Sequence, residues 1–499
     1  MGVDVLVSQL AENLKAIEDS TGKSSDVVIR SILGVRTSFA LVYIEGLVDT
    51  DIFNNNILQP LTSAANQVND QFLEGFETFF RHHVNVASMA VTDRFEAVLS
   101  EMFNGNVIVL ADGWANAAVV GAPKWKQRNV NEPTSQTVVR GPKEGFVEDI
   151  GTNVALIRKR IKSPNLWRID RTIGTITGTK VCVMYINGIA KDSVVRELLT
   201  RLDRIQVDSI LESGYIEEFI QDASYTPFPT ILNVERPDAA AAALLEGQVV
   251  VLVDGTPFQL VLPVSFFKFF LSSEDYYQRF DIATFVRGIR FVAFVIAMVL
   301  PSLYISVTTY HPELLPTTML VTLAAQREGV PLPAVLEALL MEITFEVLRE
   351  AGIRMPRTIG PAISIVGALV LGQAAVEAGL VSAAMVIVVG FTAINGFVMP
   401  AYNIAVAARL IRFFLMIMAG CLGLYGVTAA LLFLLIHMCG LRSFGVPYLM
   451  PISPRIPQNL KDVIVRAPWW RMHTRPKLIA SPSNEVRQRK HLRPGARRK

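Results

Sequence analysis

The sequence predicts an α/β soluble region made of two tandem duplicated subdomains, followed by an α-helical transmembrane domain of about five or six membrane helices and a basic tail. Three observations carry this expectation. Segments near the start recur 142 residues later. Residues 1–280 read as an ordinary globular mix, whereas residues 285–443 are dominated by Leu, Val, Ile, Ala, Phe and Met with few charges. From Arg455 to Lys499 thirteen Lys and Arg stand against two acids, so that stretch carries +11 and the remainder −8. The 499 residues are 51% hydrophobic, and the mean hydropathy of +0.39 is high for a soluble chain of that length.

The duplication is read from separated blocks. "NGNVIVLADGWA" (Asn104–Ala115) returns as "EGQVVVLVDGTP" (Glu246–Pro257), "FALVYIEG" (Phe39–Gly46) as "VCVMYING" (Val181–Gly188), and Asp93-Arg94 as Glu235-Arg236. One shared offset marks a tandem pair, since a solenoid needs more and shorter repeats. The copies are placed at 1–135 and 136–280. Each leads with an amphipathic helix (about 5–18 and 144–162) and continues with a β-branched strand (about 37–45 and 179–187). Helices follow, then a strand–turn–strand unit around Asp-Gly. Asp-Gly between apolar strands signals a hairpin in which both turn residues take positive φ. A phosphate loop is the alternative, but a lone Asp-Gly lacks the glycine spacing that converges N–H groups on an anion. "GTITGTK" (Gly174–Lys180) is one residue short of a P-loop and is expected to be a turn before a strand. In the helix at 144–162, Phe146, Ile150, Val154, Ile157 and Ile161 share the buried face. Arg158, Lys159, Arg160 and Lys162 are expected on the exposed one, either solvated or docked on lipid headgroups or an acidic partner.

Chemistry is sparse. His82-His83 is an isolated, solvated pair. Cys182, Cys421 and Cys439 form neither a disulfide framework nor a zinc site. No Ser/His/Asp set or metal box is legible, so no enzyme is expected, and no cofactor or metal. The start has no basic-then-apolar signal peptide, and Gly2 is outside a myristoylation context. The N-terminal region and the basic tail are expected on the cytoplasmic side, the tail near anionic headgroups. Nucleic-acid binding is not expected, because no stacking or groove-reading module accompanies the tail. Trp469 and Trp470, beside basic residues, look like a membrane-interface anchor.

In the apolar part, 289–310, 358–379 and 380–400 are each long enough to span, with Pro301 kinking the first. Ile404–Leu441 would be about 57 Å long as one helix and is expected to turn near Gly420–Gly426 into two spans. Pro331–Gly352 is the sixth candidate. Counting it puts both termini and the Arg-bearing loops inside. It carries Glu342, Glu346 and Glu350 at i, i+4 and i+8, one stripe on one face. Each carboxylate in lipid costs roughly 2.5–3.5 kcal/mol, so the stripe avoids lipid. Either the helix lies on the membrane surface with its acids in water, or the stripe faces a water-filled path. Repeated around an oligomer, such a stripe would become an acidic ring that favours cations. In 358–379, Gly360, Ser364 and Gly367 suit close helix packing. Ile363, Val366 and Val370 could close a pore by dewetting or simply pack.

"RGPKEGFVEDIGTNVALIRKRI", "NLWRID", "MYINGIAKDSVVRELLTRL", "FPTILNVERPDAAAAALLEGQVVVLVDGTP" and "VRAPWWRMHTRP" together resemble the A subunit of bacterial spore germinant receptors, from about residue 10 to 478. The resemblance implies a nutrient-responsive complex in the spore inner membrane that triggers germination. It implies an A subunit acting as an oligomeric, ligand-gated cation channel beside a transporter-like B subunit and a lipoprotein C subunit. A paralogous group encoded with the spore calcium–dipicolinate channel genes shares these blocks. On this reading the duplicated region is an assembly and gating module, with permeation beside Glu342 and Glu346. A secondary transporter and a non-conducting scaffold are the alternatives.

Overall fold

The structure, a computed structural model, describes residues 4–34, 38–66, 75–86, 88–124, 132–133, 136–354, 370, 372–484 and 486. The first copy contains helix α1 (Leu10–Ser20), strands β1 (Val27–Ile32) and β2 (Phe39–Ile44), and α2 (Thr50–Ile52), which runs through a π turn into α3 (Gln59–Asn66). It continues with α4 (Phe76–His83), β3 (Met89–Thr92), α5 (Phe95–Phe103), β4 (Val107–Ala111) and β5 (Ala117–Val120). The second has α6 (Ile150–Arg160), β6 (Leu166–Ile173), β7 (Thr179–Ile186), α7 (Asp192–Asp203), α8 (Ser213–Ile220), β8 (Leu232–Val234), α9 (Pro237–Leu245), β9 (Val249–Val253) and β10 (Gln259–Leu262). The two antiparallel sheets have the same order, β1-β2-β4-β5-β3 and β6-β7-β9-β10-β8. Even the register repeats: Phe39 faces Ala111, and Val181 faces Val253. Side chains alternate between faces along each strand. Ala40, Val42 and Ile44 therefore meet α1 and α5, while Phe39 and Leu41 meet α3 and α4.

The Asp-Gly turns acquire a structural reason. Glycine alone takes positive φ there, 87° at Gly113 and 88° at Gly255, so the expected pair of positive φ values does not occur. The aspartate instead turns back on the leading helix. Asp112 Oδ1 accepts from Leu10 N–H, and Asp254 Oδ1 from Ile150 N–H, both at 3.1 Å. Each supplies an acceptor to a helix N-terminus that has unpaired donors. "GTITGTK" is the turn between β6 and β7, with φ of 95° at Gly174 and 56° at Gly178.

One expectation for α6 is overturned. Phe146, Ile150, Val154, Ile157 and Ile161 are buried as expected, but Arg158 is buried as well. Its Nε lies 2.7 Å from Asp26 Oδ2, and its Nη2 donates to Asp26 Oδ1 and Ser24 Oγ at 2.9 and 3.1 Å. The basic face of a second-copy helix meets an acid of the first copy, which a helical wheel cannot reveal. Bonds from the Ser25 N–H and hydroxyl to Arg168 O, and one from Arg168 N–H to Ser24 Oγ, complete the joint.

After β10 the chain enters a run of phenylalanines, Phe266–Phe270, that packs on Phe291, Phe294 and Tyr448. The α6/α9 face of the second sheet and the long helices share one continuous apolar core. The helical part comprises α10 (Glu274–Tyr277), α11 (Phe280–Thr309), α12 (Thr317–Arg327), α13 (Ala334–Arg354), α14 (Ala383–Phe397) and α15 (Tyr402–Gly440). Among the described residues, α11 and α15 are long and apolar enough to cross a membrane, and α14 is a shorter apolar helix. The chain breaks α15 at Gly423, where φ is 59° and ψ −142°. The halves fold back so closely that a Cβ on Gly426 would meet Met418 O at 2.3 Å. The tail then returns over the second sheet.

Candidate functional site

Several charged groups of the helical part meet between α13 and α15. In α13, Val335 abuts Gly420, Glu342 lies beside Arg412, and Glu346 lies beside Arg409. The rising and falling numbers make α13 antiparallel to the first half of α15. A helix repeats its face every three or four residues, so Arg409 and Arg412 both point at α13.

The sequence-selected acids separate into different environments. Glu342 is buried, with Oε1 3.2 Å from Arg412 Nη1. Glu346 is half-buried; its oxygens lie 3.0 Å from Arg409 Nη1, 2.8 Å from Arg349 Nη2 and 3.6 Å from Arg412 Nη2. Glu350 leaves this group, is exposed, and pairs with Arg354 one turn on. Glu337, which the stripe omitted, extends the row at the other end. Its Oε1 accepts from Ser382 N–H at 2.6 Å and from the Ser382 hydroxyl, while Oε2 lies 3.8 Å from Arg327 Nε. The result is a ladder of acids on α13 opposed by arginines from three helices. The partners were legible only in outline: Arg409 and Arg412 sit three apart inside an apolar run, and a buried arginine there requires an acid.

Every acid of the ladder faces at least one arginine, yet hydrogen bonding is incomplete. Both oxygens of Glu342, Glu337 Oε2, Glu346 Oε1, and the Nε atoms of Arg327, Arg349 and Arg412 are buried without a hydrogen bond among the described residues. Each unmade bond of this kind costs about 1–3 kcal/mol in a dry interior, and more for charged groups. The ladder is thus a polar seam with spare bonding capacity, running through apolar helices.

The other selected residues fall elsewhere. Gly360, Ile363, Ser364, Val366 and Gly367 lie outside the described residues; Val370 is exposed. Trp469 packs on Tyr276 with ring centroids 5.8 Å apart, and Trp470 on Phe280 at 6.0 Å, both at the base of α11. A second charged cluster secures that base. Asp275 accepts from Arg287 and Arg290 at 2.8 Å, and Asp462 of the tail accepts from Arg287 and the Tyr276 hydroxyl at 2.8 Å. Burial pushes the Asp462 carboxyl above the usual range, against the pull of Arg287.

Residues 15–478 match the family described as Bacillus/Clostridium GerA spore germination protein. The chain belongs to this family of germinant-receptor A subunits. It is 45% identical over 494 residues to spore germination protein KA of Bacillus subtilis (strain 168), covering 98% of this chain and 90% of that one. To spore germination protein B1 of the same organism it is 39% identical over 486 residues, covering 97% and 99%. It is 36% identical to spore germination protein GerLA of Bacillus cereus, covering 97% and 98%. A crystal structure of the N-terminal domain of the A subunit of the Bacillus megaterium spore germinant receptor GerK3 is 40% identical; it covers 53% of this chain and 99% of that one with a TM-score of 0.41. Membership of the GerA family assigns the chain a role in spore germination.

Proposed function

We propose that this GerA-family chain forms an oligomeric, nutrient-gated cation channel in the spore inner membrane, with the duplicated region and the tail on the core side. The carrying observation is the ladder. Seven buried charged atoms lacking hydrogen bonds, inside a bundle of apolar helices, favour a hydrated path over a dry packing seam. Six crossings accommodate it: α11, α13, the stretch between α13 and α14, α14, and the two halves of α15. Tyr310, Val335 and Gly420 then share the outer end, while Arg290 and Phe397–Ala401 share the inner one.

At rest the arginines neutralise Glu342 and Glu346, so cation passage requires α13 to part from α15 and bare the acids. Glu350 would stand at the inner mouth. Ile363, Val366 and Val370 remain the proposed hydrophobic gate, with Gly360, Ser364 and Gly367 as its packing face. The transporter-like B subunit and the lipoprotein C subunit are the proposed partners, B carrying the nutrient signal. Trp469 and Trp470 would anchor the base of the bundle at the lipid interface.

Current across a planar bilayer containing the purified chain tests this. Discrete cation-selective steps are expected, with lower selectivity in Glu342→Gln and a raised open fraction in Arg412→Gln. A folded, oligomeric chain that passes no current would overturn the channel and leave a coupling scaffold.

A further inference from the structure

A cavity of about 560 Å³ opens where four parts of the chain meet. Its walls come from α9 (Ala239, Ala242), the turn before α10 (Lys268, Leu271), the α14–α15 turn (Phe397–Ala401) and the tail (Trp469, Arg475). This volume suits a small-molecule site, and such sites gather at domain junctions. The ladder does not use it.

Its lining mixes apolar and charged groups; of the latter, Arg236 is paired with Asp238 and Arg290 with Asp275. Glu246, Lys268, Leu271 and Arg475 also line a small neighbouring cavity, so they mark the end where the two meet. The apolar α14–α15 turn lines the large cavity only. At the end shared with the small cavity, Lys268 Nζ donates to Glu246 at 3.0 Å. An ammonium has three donors, and the other two have no partner among the described residues. The Ser273 hydroxyl also makes no hydrogen bond there, and Glu274 accepts with one oxygen, from Gln278. The wall therefore offers both signs of charge, Lys268 and Arg475 against Glu246 and Glu274, with the Arg475 guanidinium also donating to Leu245 O, Asn484 and Val486 O. From the α14–α15 turn an exposed stripe runs along α14: Ile387, Phe391, Ile394 and Phe397, the last 72% exposed.

We infer that the cavity seats the headgroup of a zwitterionic phospholipid with a primary amine, a phosphatidylethanolamine. Its phosphate faces Lys268 and Arg475, its ammonium faces Glu246 and Glu274, and its acyl chain follows the α14 stripe into the membrane. A primary ammonium donates to carboxylates, which a quaternary one cannot do. An anionic headgroup without an amine leaves the two acids facing a phosphate. The lipid would thus bridge the second subdomain, the inner turn of the helices and the tail. This rests on the α14–α15 turn lying at the membrane boundary, as the six-crossing reading has it, and not on conduction.

The test is native mass spectrometry of the full chain in mild detergent, with phosphatidylethanolamine, phosphatidylglycerol and phosphatidylcholine added in turn. Phosphatidylethanolamine is expected to persist at collision energies that strip the other two. Lys268→Met should weaken it about tenfold, the effect of one charge-assisted hydrogen bond. Ala242→Trp should abolish it, because Ala242 is an exposed wall residue and a larger side chain there fills the cavity without displacing core. Ala242→Trp keeps the test decisive if Lys268→Met proves unstable, provided its melting temperature without added lipid matches that of the wild type. Equal retention of all three lipids in every variant would sink the inference, leaving ordinary lipid around the bundle. A melting shift with free phosphoethanolamine as large as with the lipid would also overturn it, in favour of a soluble zwitterion. A null bilayer recording removes the channel and leaves this result standing.

Discussion

The two copies of the duplicated subdomain share strand order, register and the aspartate that caps the leading helix, but they are sealed by different pieces of chain. In the first copy β5 runs on to Pro123 and Lys124. Lys124 N–H donates to Leu47 O at 2.9 Å, and Pro123 bridges Val48. In the second copy the equivalent residues turn away after β10 towards the long apolar helices. The carbonyl that matches Leu47, that of Ile189, would then be left without a donor, a cost folded chains avoid. The tail supplies it more than two hundred residues later: Ser481 N–H donates to Ile189 O at 2.7 Å, and Ala480 bridges Ala190. The matching glycines, Gly105 and Gly247, take φ of 90° and 93° against these two seals. Where the first copy seals itself with its own strand, the second leaves a gap in the repeat, and the returning tail fills it. The second copy, the helices and the tail form one mechanical unit; the first copy joins through Asp26 and Arg158.

That joint is where the comparison breaks most easily. Arg158→Ala leaves Asp26 buried without its partner and should cost about 3–5 kcal/mol. Thermal unfolding is expected to split into a first-copy transition and a later one for the rest. A single transition with an unchanged midpoint would show that the copies do not depend on this pair.

Ending the chain after Leu478 removes the second seal and leaves the first intact. Loss of the buried Ile479 and Ala480, of the Ser481–Ile189 and Ala480–Pro476 backbone bonds and of the exposed Arg475 bonds to Asn484 and Val486 should cost roughly 2–4 kcal/mol. Hydrogen exchange should rise at Ile189–Ala190 and Gly247 while Leu47, Val48 and Gly105 stay protected. Equal exchange in both copies would deny the equivalence of the two seals.

The smallest effect distinguishes the outer face of the second copy. Burial pushes the Glu217 carboxyl on α8 up to about 7, with a hydrogen bond from Asn233 opposing and Glu212 adding to the rise. The folded form then holds a proton that the unfolded chain has released, so stability falls as pH climbs from about 4.5 to about 7 and levels off above. Glu217→Gln should flatten that slope and stabilise the protein by roughly 1–2 kcal/mol at pH 8, read by chemical denaturation at pH 5 and pH 8. An unchanged slope would place the titrating proton on another group.

The repeat, its offset and the strand it centres on were legible because a duplicated core repeats its side-chain pattern. The fold-back of α15 was legible too, since a run about twice the bilayer thickness has to turn and glycine is the residue that permits it. Helical spacing alone placed Glu342, Glu346 and Glu350 on one stripe and Arg158 on an exposed face; Arg158 proves buried, because periodicity assigns a face without saying what comes to meet it. Arg409 and Arg412 draw Glu342 and Glu346 inward, whereas Glu350 finds Arg354 on its own helix and stays out. The sequence by itself determined the local elements, the duplication and the apolar half, all of which follow from contacts within a few residues or from one fixed offset. Tertiary structure alone decided the acid–arginine ladder, the tail's seal on the second copy and the cavity beneath it, because each unites residues far apart in the chain whose pairing leaves no period to read.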